Sequence, residues 1–447
     1  MKNGDSTPHL NKTIGLFQAC MFGIGLILGA GIYSLIGEAA GIAGNAVWIS
    51  FIIAGILALI IGLSYAELSS MFPRSAAEYL FVKAAFKNEF LSLSVGFIVV
   101  FVIVSSAATV AVGFSGYLSI FFPDIPKTLV ATILVGLLSL ISFYGTSESL
   151  KLNTIFTFIE IFGLLFIIVV AFAYGHIFDT DFLLIPFESS ESDPLLGFEL
   201  IFSAAALVFF AFFGFEYLIN IADETKSAQI TIPKALIMSI IITTIIYVLV
   251  AISSISLVGW NELYMSEGPL ATAAKMASGN AGAVTLSAIG LFATANTVLM
   301  MLISGSRIIF GISNAKKSQL PKYLTKVHMK RRTPWVSIVI AMIAAITIIH
   351  VFEGSLFLIA GISVFCVLIV YIIINITLIS LRYQRRDQIR PLVSPLRIGK
   401  FPILPGLGIV LCIVIIIPIH PEIIKNGLIC ITGIVLSAFV IIKSNNY

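Results

Sequence analysis

The chain has 447 residues, of which 59% are hydrophobic and only 11% are charged. A soluble globular protein carries about 25% charged residues because its surface must be wetted, so this composition excludes a soluble protein and indicates a membrane protein. The net charge of +4 does not indicate a nucleic-acid-binding protein, because the basic residues cluster in short loops beside apolar segments.

Apolar segments recur along the whole chain. A helix needs roughly 20 apolar residues to cross a bilayer core of about 30 Å. Segments of suitable length lie at 14–37, 46–72, 91–122, 128–145, 151–175, 198–222, 233–259, 281–313, 335–352, 355–382, 402–419 and 426–443. We therefore predict an all-α polytopic membrane protein of about twelve transmembrane helices, with no loop long enough for a separate soluble domain.

The first span is rich in glycine. Four glycines fall within the nine residues from Gly23 to Gly31, and the sequence continues Ile32-Tyr33. Taken alone, the pattern Gly25-x-x-x-Gly29 is as typical of close helix packing as of an interrupted helix. An interruption at membrane depth must line protein or water, because its free backbone groups need partners.

Ionisable residues inside the spans are few. Glu67 in the second span and Arg307 in the eighth lie near the predicted cytoplasmic span ends, so we expect both side chains to reach interfacial water. Glu160 lies nine residues past Lys151, which is about 14 Å into a core of about 30 Å. A carboxyl near the midplane is costly, and burial favours its neutral form, so Glu160 is a candidate functional residue.

The sixth span also contains an irregular stretch, which runs from Phe209 through Phe213-Gly214 to Glu216-Tyr217. Transporters built from inverted repeats have broken helices at corresponding positions, and the first and sixth spans correspond if each repeat has five helices. The pairing favours a break in both spans. Free amides at such breaks attract a carboxylate and free carbonyls attract a cation, which fits an α-amino acid. For Glu216 the structural alternative is that it caps unwound backbone.

Lysine and arginine concentrate on one predicted side of the membrane. They fill the loops after the eighth and tenth spans, at Lys316, Lys317, Lys322, Lys326, Lys330, Arg331, Arg332, Arg382, Arg385, Arg386, Arg390, Arg397 and Lys400. The opposite loops are poor in both residues, and the loop near 179–193 is acidic. The positive-inside rule therefore predicts that this basic side and both termini lie in the cytoplasm of a cell-membrane protein.

The chain offers few groups for a cofactor or for catalysis. The cysteines lie in apolar runs without metal or redox spacing, and the histidines are scattered, so we expect no metal and no cofactor. The sequence has no phosphate-binding loop, which argues against ATP hydrolysis as its energy source. It also has no Ser–His, metal–His or paired-Asp arrangement at depth, so we do not expect an enzyme.

Four stretches resemble the amino acid–polyamine–organocation transporter superfamily, and the resemblance covers nearly the whole chain. They are Gly29 to Tyr33, Tyr65 to Tyr79, Phe210 to Ala235, and Ser306 to Pro334. The resemblance implies two five-helix inverted repeats with broken helices 1 and 6, followed by two further helices. The division is a cytoplasmic N-terminus at 1–13, repeats at 14–182 and 198–382, and a C-terminal pair at 402–443.

The resemblance also implies a substrate site at the two breaks. The family's carboxylate site falls on the backbone amides of Ala30 and Gly31, and its ammonium site falls on the carbonyls around Ile27, Phe210 and Phe213.

Further positions of the site follow from the same resemblance. Gly29 and Gly214 belong to the breaks on either side. Phe210 corresponds to an aromatic residue that closes over the substrate from outside in some members. Glu216 matches an acidic position that several members place beside the substrate.

Two positions depart from the family. Ala76-Ala77 stands where the family has Gly-Gly, which would stiffen this segment. Glu160 stands where many proton-coupled relatives have lysine, so the charge is reversed, and the acid could carry a coupling proton or ligate a cation. We predict a coupling site at Glu160 with Asn296 and Thr297 of the eighth span. The alternative is that Glu160 only hydrogen-bonds that helix.

The predicted function is secondary active transport of amino acids or related amines, coupled to protons and working by alternating access. Symport and antiport both remain open. The alternatives are an exchanger without ion coupling and a non-transporting nutrient sensor, which would normally need a signalling tail longer than the predicted termini. The expected partners are the amino acid or amine, a proton and membrane lipid, with no nucleic acid.

Overall fold

A computed structural model describes residues 14–29, 31–74, 76–119, 121–144, 149–174, 177–185, 194–315, 320–328, 331, 333–385, 390–398 and 401–444. In this part of the chain the helices are α1 (Leu16–Leu28), α2 (Gly31–Ala43), α3 (Val47–Met71), α4 (Ala77–Phe86), α5 (Glu89–Ser119), α6 (Lys127–Tyr144), α7 (Ser149–Tyr174), α8 (Pro194–Val208), α9 (Ala228–Met265), α10 (Pro269–Ser313), α11 (Trp335–Val351), α12 (Leu356–Gln384), α13 (Ile403–Ile416) and α14 (Pro421–Ser444). Two short strands, β1 (Arg397–Ile398) and β2 (Phe401–Pro402), pair antiparallel.

The helices confirm an all-α polytopic membrane fold. Ten segments of the described chain are long and apolar enough to cross a membrane, and α11 and α13 are shorter apolar helices at the predicted ninth and eleventh spans. The helix α4, which connects the second and third spans, was not predicted. The division of the chain into repeats at 14–182 and 198–382 with a C-terminal pair at 402–443 stays a prediction.

The glycines of α1 allow it to pack closely against two neighbouring helices. A Cβ atom at Gly23 would lie 2.4 Å from Ser239 Oγ of α9, and one at Gly25 would lie 2.1 Å from Thr157 Oγ1 of α7. Helices approach this closely only where small residues leave room for the backbone. The close-packing interpretation of Gly25-x-x-x-Gly29 is therefore correct for Gly25, and Gly23 packs in the same way. Helix α1 lies in the interior of the bundle.

One side of the molecule holds the loops rich in lysine and arginine and is called the basic side here. It includes α4 and the chain that follows α10 and α12. Here Glu67 is fully buried, with an exposed fraction of 0%. Arg382 Nε donates to Glu67 Oε1 at 2.9 Å, and the Ser394 amide donates to Glu67 Oε2 at 2.9 Å. The expectation that Glu67 reaches water is wrong, because Arg382 of α12 provides a buried countercharge and joins α12 to α3.

The opposite side is covered by the chain between α7 and α8. Asn45 Nδ2 donates to the Asp181 carbonyl at 2.8 Å, and Trp48 Nε1 donates to the Phe182 carbonyl at 3.1 Å. These bonds attach the loop to the start of α3. Three further acidic residues of this loop, Glu188, Glu191 and Asp193, lie outside the described residues.

Candidate substrate and coupling site

The first membrane span is interrupted where it was predicted to be. Helix α1 ends at Leu28, Gly29 keeps a right-handed backbone with φ −57° and ψ −63°, and α2 begins at Gly31. Ala30, the predicted carboxylate-binding residue between them, lies outside the described residues. Carbonyl groups at the end of a helix and amide groups at the start of one are available to partners outside the helix.

The sixth span unwinds at the predicted position. Helix α8 ends at Val208 and gives way to a 3-10 turn over Phe209–Phe212, after which Phe213 is extended with ψ 141°. Gly214 has φ +119°, a left-handed conformation that a side chain would strain. Its α-carbon also lies against α1, because a Cβ there would be 2.9 Å from the Leu26 carbonyl oxygen. A second 3-10 segment, Phe215–Glu224, continues the span.

The two interruptions contact each other. A Cβ atom at Gly31 would lie 2.0 Å from the α-carbon of Ala211, so the start of α2 touches the unwound part of the sixth span directly. The Tyr247 hydroxyl of α9 lies 3.0 Å from the Ala211 carbonyl oxygen and also contacts the Ile27 carbonyl. Tyr247 therefore bridges both breaks. A tyrosine inside an apolar helix gives no sequence signal for this role.

Two of the three predicted ammonium-binding carbonyls already accept hydrogen bonds within the protein. The Ile27 carbonyl accepts from Tyr247, and the Phe210 carbonyl accepts from the Phe213 amide at 3.1 Å. Each carbonyl oxygen has a second lone pair, so these contacts leave room for one more donor. Ammonium binding at Ile27, Phe210 and Phe213 stays a prediction.

Glu160 is buried beside the first break with an exposed fraction of 1%. Its side chain lies beside Asn296, and neither carboxyl oxygen has a hydrogen-bond partner within the described part of the chain. The Tyr33 hydroxyl of α2 donates to the Glu160 backbone carbonyl at 3.3 Å. Asn296 Nδ2 donates to Asn153 Oδ1 at 3.3 Å, which links α10 to α7 at this point.

Thr297 lies next to this cluster but faces α1. Its hydroxyl donates to the Ala293 carbonyl at 3.1 Å, and a Cβ at Gly29 would lie 1.6 Å from its Oγ1. The structure thus brings Asn296 to Glu160 and Thr297 to Gly29. The coupling role predicted for these residues stays a prediction.

Glu216 stabilises the break of the sixth span. The Gly214 amide donates to Glu216 Oε2 at 3.2 Å, which is the backbone-capping contact given above as the structural alternative. Oε1 of the same carboxyl is buried without a partner among the described residues. A contact of Glu216 with substrate stays a prediction.

The chain matches the sequence profile of the family described as amino acid permease over residues 14–442. It belongs to the amino acid permease family. The branched-chain amino acid permease of Bacillus subtilis (strain 168) is 29% identical over 431 residues, covering 91% of this chain and 88% of that protein. An inner membrane transport protein of Escherichia coli (strain K12) is 26% identical over 383 residues, covering 84% and 85%. The methylthioribose transporter of Bacillus subtilis (strain 168) is 27% identical over 348 residues, covering 74% and 72%.

The permease has a large cavity on the side opposite to α4. Its volume is about 570 Å³, and its walls come from α2, α8, α12 and the connection between α13 and α14. Glu38, Glu199 and His420 provide its charged and titratable groups, and Leu207 and Val364 are among its apolar ones. A cavity of this volume is large enough for a small organic molecule.

Phe210 lies one helical turn along the chain from Leu207, which lines that cavity. Its side chain is buried, and its ring centroid lies 5.1 Å from that of Phe213. That Phe210 closes over the substrate from this side stays a prediction.

The described part of the permease contains no group of three or more His, Cys, Asp or Glu residues that could hold a metal ion. The four cysteines are unpaired, and three of them are buried. The ionisable residues nearest to the breaks are thus the carboxylates Glu160 and Glu216 together with tyrosines such as Tyr33 and Tyr247.

Proposed function

We propose that this permease carries amino acids or related amines across the cell membrane by proton-coupled secondary transport. The observation that carries the proposal is the contact between the broken first and sixth spans at Gly31 and Ala211, with Glu160 buried beside them. Alternating access would open the site between these breaks to one side of the membrane at a time. The protein would act as a transporter and not as an enzyme.

The proposed substrate site uses backbone groups. The amides of Ala30 and Gly31 would bind the α-carboxylate, because the start of α2 carries free N–H groups and the positive end of a helix dipole. The carbonyls of Ile27, Phe210 and Phe213 would bind the ammonium group. The similarity to a protein named branched-chain amino acid permease supports this substrate class.

The remaining predicted residues position that site. Gly29 and Gly214 keep the two unwound segments close to α10 and α1, since a Cβ at either position would overlap a neighbour. Glu216 holds the sixth break in shape through the Gly214 amide and would lie near the bound amine. These roles fit a site built mostly from backbone.

We propose that Glu160 carries the coupling proton. An ionised carboxylate in an apolar interior is costly unless a cation pairs with it, and the groups described around Glu160 are Asn296, Tyr33 and Tyr247. A protonated carboxyl could donate a hydrogen bond to a carbonyl freed at the end of α1. Asn296 and Thr297 would then transmit the protonation of Glu160 to α10 and α1.

We further propose that the basic side is cytoplasmic, in line with the positive-inside rule. Both termini would then lie in the cytoplasm, and the 570 Å³ cavity would open towards the outside. Cysteine labelling from outside intact cells tests this orientation: a cysteine introduced at Asp124 should react, and one introduced at Lys322 should not. The reverse pattern would contradict the orientation.

Uptake by the purified permease in proteoliposomes tests the substrate class. We expect saturable uptake of at least one amino acid or amine from a labelled panel that includes branched-chain amino acids, serine, glutamate, a polyamine and methylthioribose. Binding without any uptake would favour the nutrient sensor. Uptake of methylthioribose alone would contradict the proposed site for α-amino and α-carboxylate groups.

Phe210→Ala should weaken the apparent affinity for substrate while leaving membrane insertion intact. The lost aromatic packing over a ligand is worth about 1–2 kcal/mol, which corresponds to about 5- to 30-fold in affinity. Phe172→Ala is the matched control, because the Phe172 side chain is 70% exposed on α7. An unchanged KM in the Phe210 variant would show that another residue closes the site.

A further inference from the structure

A second buried carboxylate cluster lies towards the basic side. A cavity of about 10 Å³ is enclosed by α3, α4, α5, α12 and the second 3-10 segment of the sixth span. Its polar walls are two carboxyls and three phenols, from Tyr65, Glu78, Glu216, Tyr217 and Tyr371. A cavity of this size accommodates about one water molecule.

The polar groups of this cluster are buried and incompletely paired. Glu78 is 5% exposed and Glu216 is 3% exposed. Among the described residues, the hydroxyls of all three tyrosines and Oε1 of Glu216 have no hydrogen-bond partner. Buried polar atoms without partners are rare in folded proteins and indicate a missing ligand or a functional role.

The two carboxyls are close enough to influence each other electrostatically. Two carboxylates in the wall of one buried cavity repel each other when both are ionised, which favours the binding of a proton there. Tyr65 lies beside Glu78, and Tyr371 and Tyr217 lie beside Glu216. These phenols are potential hydrogen-bond donors to a charged carboxyl.

Basic side chains in the neighbourhood are engaged elsewhere. On α4 itself, Lys83 forms an ion pair with Glu89 at 2.8 Å. At the end of α12, Arg385 donates to the Ala84 carbonyl at 3.0 Å. Helix α5 contributes only valines to the cavity wall. No described cation in the cavity wall therefore neutralises the pair.

We propose that Glu78 and Glu216 form a proton-binding site in which the two carboxyls share one proton, separate from Glu160. The shared proton attaches α4 to the unwound part of the sixth span. When it leaves to water on the basic side, both carboxylates become charged and repel each other, which moves α4 away from the sixth span. Opening of the permease towards the side with the lysine- and arginine-rich loops would thus depend on the pH of the solution on that side of the membrane.

The conformation of Glu78 supports this assignment. Helix α4 begins at Ala77, so Glu78 lies in the first turn, where helix amides favour a charged carboxylate. Burial outweighs that effect and raises the pKa of Glu78 from 4.5 to about 7. The preceding Ala76 has φ +57°, a left-handed backbone that glycine would adopt without strain and that sets the direction in which α4 starts.

This proton site makes a prediction for thermal stability that does not depend on transport. Because the pKa of Glu78 is higher in the folded protein than in the unfolded chain, the stabilisation is complete below about pH 4.5 and is lost as the pH rises through about 7. We therefore expect the Tm of the wild-type permease in detergent to fall over this range. Glu78→Gln and Glu216→Gln should each remove most of the fall, and the double variant should add little, because the pair titrates as one unit.

Asp124→Asn, at an exposed position, is the matched control and should keep the wild-type profile. If Glu78→Gln and Glu216→Gln both lose as much Tm over this pH range as the wild type does, the proposal is overturned. It is also overturned if the effects of the two substitutions add in the double variant. If Glu78→Gln and Glu216→Gln do not fold, infrared titration is carried out on Glu160→Gln, which lacks the other buried carboxyl but keeps this pair. A protonated carboxyl band that disappears near pH 7 supports the proposed pair, and a band that is absent or constant overturns it. A Tm that depends on sodium and not on pH would identify a cation site instead. The Tm and infrared measurements do not require transport, so the proton site and the proposed transport function can fail separately.

Discussion

Glu160→Gln should abolish accumulation of substrate driven by a pH gradient while exchange of internal for external substrate persists. Glutamine resembles the protonated carboxyl in shape and hydrogen bonding but cannot release a proton, so the coupled step is lost and substrate binding is kept. Accumulation and exchange are measured side by side in proteoliposomes that contain the same amount of folded protein. We expect accumulation at background level and exchange within about threefold of wild type.

The control is Glu262→Gln, which makes the same chemical change at an exposed position at the end of α9. It should accumulate substrate normally. If Glu160→Gln also accumulates substrate with the wild-type pH profile, then Glu160 only joins α7 to α10 beside Asn296, and the coupling proton is carried elsewhere.

Gly31→Leu should abolish substrate binding and saturable uptake. A Cβ at Gly31 would lie 2.0 Å from the Ala211 α-carbon, so a side chain would separate the two breaks and fill the space beside the α2 amides. The contact is with backbone, so the two breaks must move apart to admit the leucine, and membrane insertion and folding of the variant are verified before binding is measured. Binding is measured directly by a substrate-induced increase in Tm, and uptake is measured in proteoliposomes.

The matched control for this change is Gly136→Leu, because a Cβ at Gly136 in α6 meets nothing within 4 Å. It should transport at the wild-type rate. Saturable uptake by a well-folded Gly31→Leu protein would remove the first break from the substrate site.

The sequence was sufficient to predict the spans and both breaks. Apolar length indicates where helices cross the membrane, and irregular stretches at corresponding positions of the first and sixth spans favoured a break in both. The rise per residue of a helix placed Glu160 far from the ends of its span, and its side chain is buried. None of these features depends on how neighbouring helices pack.

Side-chain partners could not be predicted, because they depend on how helices rotate and pack against each other. Glu67 was expected to reach interfacial water. It is buried instead, and it pairs with Arg382 of α12, which is distant in sequence. Tyr247 joins the two breaks from a helix with no distinguishing pattern. Asn296 and Thr297 are adjacent in sequence, and only their position on α10 determines that one lies beside Glu160.

The carboxylate pair was missed for a similar reason. Glu78 lies in the stretch Tyr65 to Tyr79, for which no proton site was predicted, and Glu216 was expected beside the substrate or as a cap of unwound backbone. Only the packing of α4 on α5 and α12 places both carboxyls in the wall of one small cavity.

Uptake into proteoliposomes with and without an imposed pH gradient tests proton coupling most directly. If transport is proton-coupled, a labelled amino acid accumulates above its external concentration only while the gradient is present, and a protonophore abolishes the accumulation. Uptake that stops at equal concentrations on both sides, or that requires a counter-substrate whatever the gradient, would contradict proton-coupled transport and identify the permease as a facilitator or an exchanger.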